Sequence, residues 1–301
     1  MIAERSVRET ARGPATPEPQ PAVLVTGAST GIGYATALRL ARKNVVVFAG
    51  VRRQYDLETL MREGGDNVYP VIMDVTEPES LERAKERVLL QPEFRLDGVV
   101  NNAGIAVAGP LELLPLAELR RQFEVNFFGA IAVTQTFLPL LRENHGRIVN
   151  VSSINGKLAT PFAGAYASSK FALEAASDAL RFELQPFGVS VSVIEPGAVQ
   201  TPIWERSTAA AMRLFETVPE DARARYETMV GQALRLTQRM EQRGVPPERV
   251  ARAIERALFD RHPKARYLVG GDARLRLAVA RLPEQLRDSL VRAAFRRAVP
   301  P

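Results

Sequence analysis

The chain has 301 residues, 46% of them hydrophobic and 25% charged, the composition of a folded domain with a sizeable core. It contains no cysteine and only two histidines, His145 and His262. This excludes disulfides, a thiol nucleophile and a thiolate metal site, and leaves little for a histidine metal centre or a serine–histidine triad. The net charge of +6 comes from basic residues scattered among acids along most of the chain, and no nucleic-acid motif accompanies them.

Residues 1–20 are polar and end in a proline-rich run, a pattern expected of a flexible tail. They hold no signal-peptide apolar core, and no window reaches the ~18 uninterrupted apolar residues of a membrane span, so the expected location is the cytoplasm. From residue 22, short apolar runs alternate with longer segments of helical spacing. The runs are AVLVTG (22–27), VVVFAG (45–50), VYPVIM (68–73), DGVVNN (97–102), GRIVNVSS (146–153), VSVSVIEPG (189–197) and ARYLVG (265–270). The helical segments are 31–43, 55–63, 78–91, 115–142 and 164–187. Most runs lack polar alternation, as strands buried on both faces do. The repetition predicts an α/β fold: a doubly wound (Rossmann) parallel sheet of about seven strands with helices on both faces, in one domain over 21–301. Residues 202–245 break the rhythm with a helix-prone insertion at a strand end, where ligands of such folds sit. It reads as a substrate lid, as a packed amphipathic helix, or as both. Residues 273–299 read as a C-terminal helical extension, packed on the domain or attached through arginines and apolar residues to anionic lipid.

The stretch LVTGASTGIGYATAL places Gly27, Gly31 and Gly33 between a strand and a helix. Glycines there permit a tight turn and close approach of a pyrophosphate, and the helix N-terminus offers unpaired N–H groups. The Gly-Lys-Ser/Thr of a Walker-type loop is absent. The second strand ends in Val51, Arg52 and Arg53, with no acid before Asp56. A free ribose favours an acid at this point and a 2′-phosphate favours arginine, so Arg52 points to NADP over NAD.

Seven motifs in order resemble those of the short-chain dehydrogenase/reductase family. They are TGASTGIG (26–33), MDVT (73–76), NNAG (101–104), VNFFG (125–129), VSS (151–153), YASSK (166–170) and PGAVQT (196–201). The likeness runs over residues 22–201, and the C-terminal third is similar to steroid- and retinol-dehydrogenase-like members. The resemblance implies an NAD(P)-dependent oxidoreductase in which Tyr166 exchanges a proton with the substrate oxygen. Lys170 then bonds the nicotinamide ribose and lowers the tyrosine pKa, Ser153 holds the substrate oxygen, and Asn126 supports a water chain to the lysine. Gly27, Ser29, Thr30, Gly31, Ile32, Gly33 and Arg52 are implied to hold the cofactor phosphates. Asp74 and Val75 fall to the adenine, and Asn102, Ala103 and Gly104 to the adenosine side. Pro196, Gly197, Val199 and Thr201 fall beside the nicotinamide. Thr30 departs from many NADP-using relatives, whose residue there is basic, although its hydroxyl can bond a phosphate; NAD stays the alternative. Relatives are commonly dimers or tetramers formed through the long helices, here 115–142 and 164–187.

Elementary chemistry supports the pair independently. Hydride transfer to a carbonyl leaves an alkoxide, which needs a proton. A free tyrosine has a pKa of about 10, so work near neutrality asks for about 3 units, roughly 4 kcal/mol. Residues four apart on a helix share a face, with Cβ atoms about 5–6 Å apart. An ammonium ~4 Å from a phenolate, at an effective permittivity of ~20, supplies about 4 kcal/mol, while desolvation opposes it. Of the six tyrosines only Tyr166 has lysine at the fourth position.

Leu158, Phe162, Ile203, Trp204, Met212 and Phe215 lie in segments expected near the strand ends, which suggests an apolar ketone or alcohol of steroid, retinoid or lipid type. A ketoacyl or polyketide ketone is the alternative substrate. A non-catalytic cofactor sensor or scaffold is the competing class, disfavoured by the intact Ser153, Tyr166, Lys170 and Asn126 set.

Overall fold

The computed structural model describes residues 19–296. Residues 1–18 of the expected tail and 297–299 of the expected C-terminal extension lie outside the described residues. The strands are β1 (Gln20–Thr26), β2 (Val46–Val51), β3 (Val68–Ile72), β4 (Phe94–Asn101), β5 (Arg147–Val151), β6 (Ser190–Pro196) and β7 (Arg266–Val269). They form one parallel sheet in the order β3-β2-β1-β4-β5-β6-β7. β1 begins at Gln20, so the last residue assigned to the tail belongs to the sheet.

The helices are α1 (Gly31–Ala41), α2 (Gln54–Gly64), α3 (Pro78–Leu89), α4 (Leu116–Phe123), α5 (Gly129–Glu143) and α6 (Gly164–Leu184). They continue as α7 (Ile203–Glu216), α8 (Glu220–Gln242), α9 (Pro247–Phe259), α10 (Gly271–Ala280) and α11 (Glu284–Arg296). The helix expected over 115–142 is two, joined by a π turn over Glu124–Phe128. By length and composition Leu116–Glu143 could cross a membrane, but here Val133, Phe137 and Leu141 are buried against the sheet.

Alternation along the strands builds a core on each face. Val23 and Val25 of β1, with Val47 and Ala49 of β2, join Ile254 and Leu258 of α9. Ala22 and Leu24, with Val46 and Phe48, join Leu81 of α3 and Phe137 of α5 on the other side. Both sets of alternate positions are covered, which is why these strands read as unbroken apolar runs.

After β3 the chain crosses to β4 on the far side of β1, and the crevice opens beyond the C-terminal ends of these two strands. The insertion over 202–245 is α7 and α8. Its ends are tied together: Val245 N–H donates to the Ala198 carbonyl (2.9 Å), and Gln200 N–H donates to the Val245 carbonyl (3.0 Å).

Candidate active site

Gly27 leaves β1 with φ of 65°, and a Cβ there would lie 2.8 Å from Ala103 Cα. Glycine is what lets the first loop close on the loop after β4. Asn102 Nδ2 donates to the carbonyls of Thr26 (2.9 Å) and Gly27 (3.1 Å). Thr26 Oγ1 accepts from the N–H groups of Asn102 and Ala103, both at 3.0 Å. α1 starts with no side-chain cap from Thr30, which leaves its first N–H groups for a ligand. A Cβ on Gly31 would stand 3.0 Å from Thr201 Cγ2, so the glycine keeps the gap to that loop open.

The resulting cleft has a volume of about 310 Å³. Its lining includes Gly27, Ser29, Thr30, Gly31 and Ile32, then Arg52, Asp74, Val75, Asn102, Ala103 and Gly104. Ser153, Tyr166, Lys170, Pro196, Gly197, Val199 and Thr201 also line it, with Ile203 and Trp204 from α7. Gly33 lies off the cleft, packed against the Gly27 carbonyl. Arg52 is exposed and forms no ion pair among the described residues, whereas Arg53 holds Asp56 with Nε–Oδ2 at 3.1 Å. Asp74 uses Oδ1 to accept from the N–H (2.9 Å) and hydroxyl (2.7 Å) of Thr76, which shapes its turn. Free N–H groups, a glycine cradle and an unpaired guanidinium fit a phosphorylated dinucleotide.

Ser153 follows β5, and its Oγ accepts from the Asn155 N–H at 3.1 Å. Tyr166 and Lys170 stand on the first two turns of α6. Lys170 Nζ donates to the Val151 carbonyl at 2.8 Å and lies 5.8 Å from the Tyr166 ring centroid. Burial pushes Lys170 down to about 8, with Glu174 pulling the other way. Burial also pushes the Tyr166 phenol above its ordinary value, while the Ser153 hydrogen bond and the Arg276 charge oppose this. In the protein chain alone, Tyr166 is therefore a protonated acid at neutral pH. Desolvation outweighs the nearby charges.

Glu174 lies one turn beyond Lys170 and is buried with Glu195 of β6. Lys157 Nζ reaches Glu174 at 2.8 Å and Glu195 at 3.6 Å, and Arg266 Nε reaches Glu195 at 3.1 Å. Arg266 also holds Asp178 at 2.7 Å. Even so, Glu195 is raised, first by burial and then by Glu174. A second polar bolt fixes α5 and α6 to the sheet: Asn101 Nδ2 donates to Thr134 Oγ1 (2.9 Å) and Asn150 Oδ1 (2.8 Å), and Asn150 Nδ2 to Ser177 Oγ (2.8 Å).

Besides Gly33, five expected residues lie off the cleft: Asn126, Leu158, Phe162, Met212 and Phe215. Asn126 is 1% exposed on the π turn. Its Oδ1 accepts from Ile105 N–H (2.8 Å), and its Nδ2 donates to the Ile105 carbonyl (3.0 Å) and Ser169 Oγ (3.3 Å). Its amide thus clamps the loop after β4. Leu158 is buried in the interior. Phe162 takes φ of 66°, stacks on Phe295 of α11 at 5.7 Å and meets Tyr226 of α8 edge-on. It joins the insertion to the C-terminal helix and does not wall the cleft. Sequence reasoning missed Ser207 and Ala210, which line the cleft with Ile203. Their spacing of four and three is a helical face and was the available signal. Arg121 and Arg206, also at the cleft, carry no such signal.

Fold and site together define a Rossmann-type oxidoreductase. The family model described as short chain dehydrogenase matches residues 21–211, and the chain belongs to the short-chain dehydrogenase/reductase family. It is 39% identical over 251 residues to the uncharacterized oxidoreductase YbbO of Escherichia coli K12, covering 83% of this chain and 86% of that one. It is 35% identical over 277 residues to human retinol dehydrogenase 5, covering 89% and 87%. The solved alcohol dehydrogenase of Thermococcus sibiricus, complexed with 5-hydroxy-NADP, aligns with a TM-score of 0.66 at 26% identity, covering 83% of this chain and 96% of that one.

Proposed function

We propose that this enzyme interconverts a ketone and an alcohol on an apolar molecule of steroid, retinoid or lipid type, using NADP(H) in preference to NAD(H). The observation that carries the proposal is the convergence of Ser153, Tyr166 and Lys170 on the same cleft as the glycine loop. Gly27, Ser29, Thr30, Gly31 and Ile32 would hold the pyrophosphate, and Arg52 the 2′-phosphate. When bound, NADP(H) supplies or receives the hydride.

Ser153 Oγ hydrogen-bonds the substrate oxygen and fixes it beside Tyr166. The Tyr166 hydroxyl gives its proton to that oxygen in reduction and takes one back in oxidation. Lys170, anchored on the Val151 carbonyl, adds positive charge beside the ring as phenolate forms. Asn126 keeps the Ile105 loop in place. Ile203 and Trp204, with Ile105 and Val125, supply apolar walls, which favours an apolar substrate over a thioester-linked ketoacyl chain. The similarity to a retinol dehydrogenase supports the same class. Exposed Phe128, Phe171, Phe182 and Phe187 support self-association as a homodimer or homotetramer.

The test is cofactor oxidation with NADPH and NADH in parallel, over retinoids, steroids, aldehydes and ketoacyl thioesters. The proposal expects NADPH-dependent turnover of apolar carbonyls. Turnover of thioesters alone would favour the ketoacyl reading, and cofactor binding without turnover of any compound would favour a sensor.

A further inference from the structure

α10 lies beyond all seven family motifs, yet it is pinned to the active site at two points. Near its start, Asp272 Oδ2 accepts from the Ala198 N–H at 2.9 Å. A Cβ on Gly197 would lie 2.2 Å from Asp272 Oδ1, so the carboxylate fills the space under that loop. One turn later, Arg276 Nη2 donates to Asn155 Oδ1. Asn155 in turn donates its backbone N–H to Ser153 Oγ at 3.1 Å. Arg276 is half-buried and forms no ion pair within bonding distance among the described residues. A guanidinium held by a neutral amide keeps its charge available to its surroundings.

We propose that Arg276 is a positioning residue for the proton step: it holds the Ser153–Asn155 turn through Asn155 and keeps a fixed positive charge beside Tyr166. This rests on the reading of Tyr166 as the acid/base. The groups acting on Tyr166 come from three elements. Ser153 stands on the turn after β5, Lys170 on α6 and Arg276 on α10. Glu174 faces Lys170 from behind, and Asp272 faces Arg276. Arg276 lowers the Tyr166 pKa against the burial that raises it. A fixed cation favours phenolate, so the positive charge eases release of the proton to the alkoxide. The same cation eases the start of the oxidation direction, in which Tyr166 must first be phenolate.

The experiment is a pH titration of protein labelled with 13C at tyrosine Cζ, in the presence of NADP+. Tyr166 is assigned by its loss in Tyr166→Phe. Arg276→Gln keeps an N–H donor for Asn155 and removes the charge, while Arg276→Lys keeps the charge. The expected result is a Tyr166 midpoint about one pH unit higher in Arg276→Gln, restored in Arg276→Lys. Equal midpoints in all three proteins overturn the proposal, as does a Tyr166 signal that stays protonated to pH 11 in all of them. NADP+ affinity, read by calorimetry, is expected to stay within about threefold of wild type in both variants. A larger loss would make Arg276 a cofactor ligand or a fold determinant and overturn the assigned role. Failure of the underlying reading shows separately, as Tyr166→Phe retaining wild-type turnover.

Discussion

Replacing Arg52 with alanine separates the two nicotinamide cofactors. Arg52 stands just past β2, lines the cleft and forms no ion pair among the described residues. The neighbouring acid is already taken, because Arg53 holds Asp56 through Nε (3.1 Å) and Nη2 (3.2 Å). A ribose hydroxyl therefore meets no free carboxylate at this position, while a 2′-phosphate meets a free guanidinium. Hydrogen bonds to a charged group are worth about 1.5–3 kcal/mol, and solvent exposure of Arg52 argues for the lower end. That corresponds to a rise of roughly 10–30-fold in the Kd for NADPH. NADH, which lacks the phosphate, should bind Arg52→Ala as it binds wild type. Fluorescence titration of each reduced cofactor at fixed ionic strength measures both, with no need for a substrate. The salt dependence of NADPH binding should also weaken in the variant. Equal losses for the two cofactors, or none for either, would refute the reasoning.

Lys170→Met should flatten the pH dependence of stability. Lys170 titrates near 8 in the fold against 10.5 for a free lysine, so the unfolded chain binds the extra proton between these values and stability rises with pH across that window. The penalty is fully present below pH ~8 and amounts to roughly 3 kcal/mol, a slope that urea unfolding from pH 7 to 10 should show in wild type and lose in the variant. Arg266→Met should cost about 3–5 kcal/mol in the same measurement, because it strips buried Glu174 and Glu195 of one of their two cations; an unchanged unfolding midpoint would contradict the network.

The sheet was legible because its strands are covered on both faces, which leaves unbroken apolar runs such as that of β2. The glycine loop, Ser153, Tyr166 and Lys170 were legible because each sits at a strand end or in the first turns of a helix, where chain order predicts position. α9 was legible in principle: Val250, Ile254, Ala257 and Leu258 are buried at helical spacing, but the segment follows an irregular insertion. The π turn was not, since the residues of Glu124–Phe128 continue the pattern of the helices around them. Leu158 and Phe162 misled because a segment near a strand end need not turn its side chains to the cleft; the left-handed turn at Phe162 places its ring against α8 and α11. Arg276 lies far along the chain from Tyr166 and belongs to no motif, so only the docking of α10 reveals it. The net direction of the Tyr166 shift was not legible for a related reason. Spacing reports the lysine, but burial is a property of the whole fold.

The central claim is that Tyr166 carries the proton, and Tyr166→Phe tests it most directly. The account predicts NADPH affinity close to wild type and turnover reduced by a factor on the order of 10²–10⁴ on any carbonyl that the wild type reduces. Turnover equal to wild type, with NADPH bound normally, would contradict it.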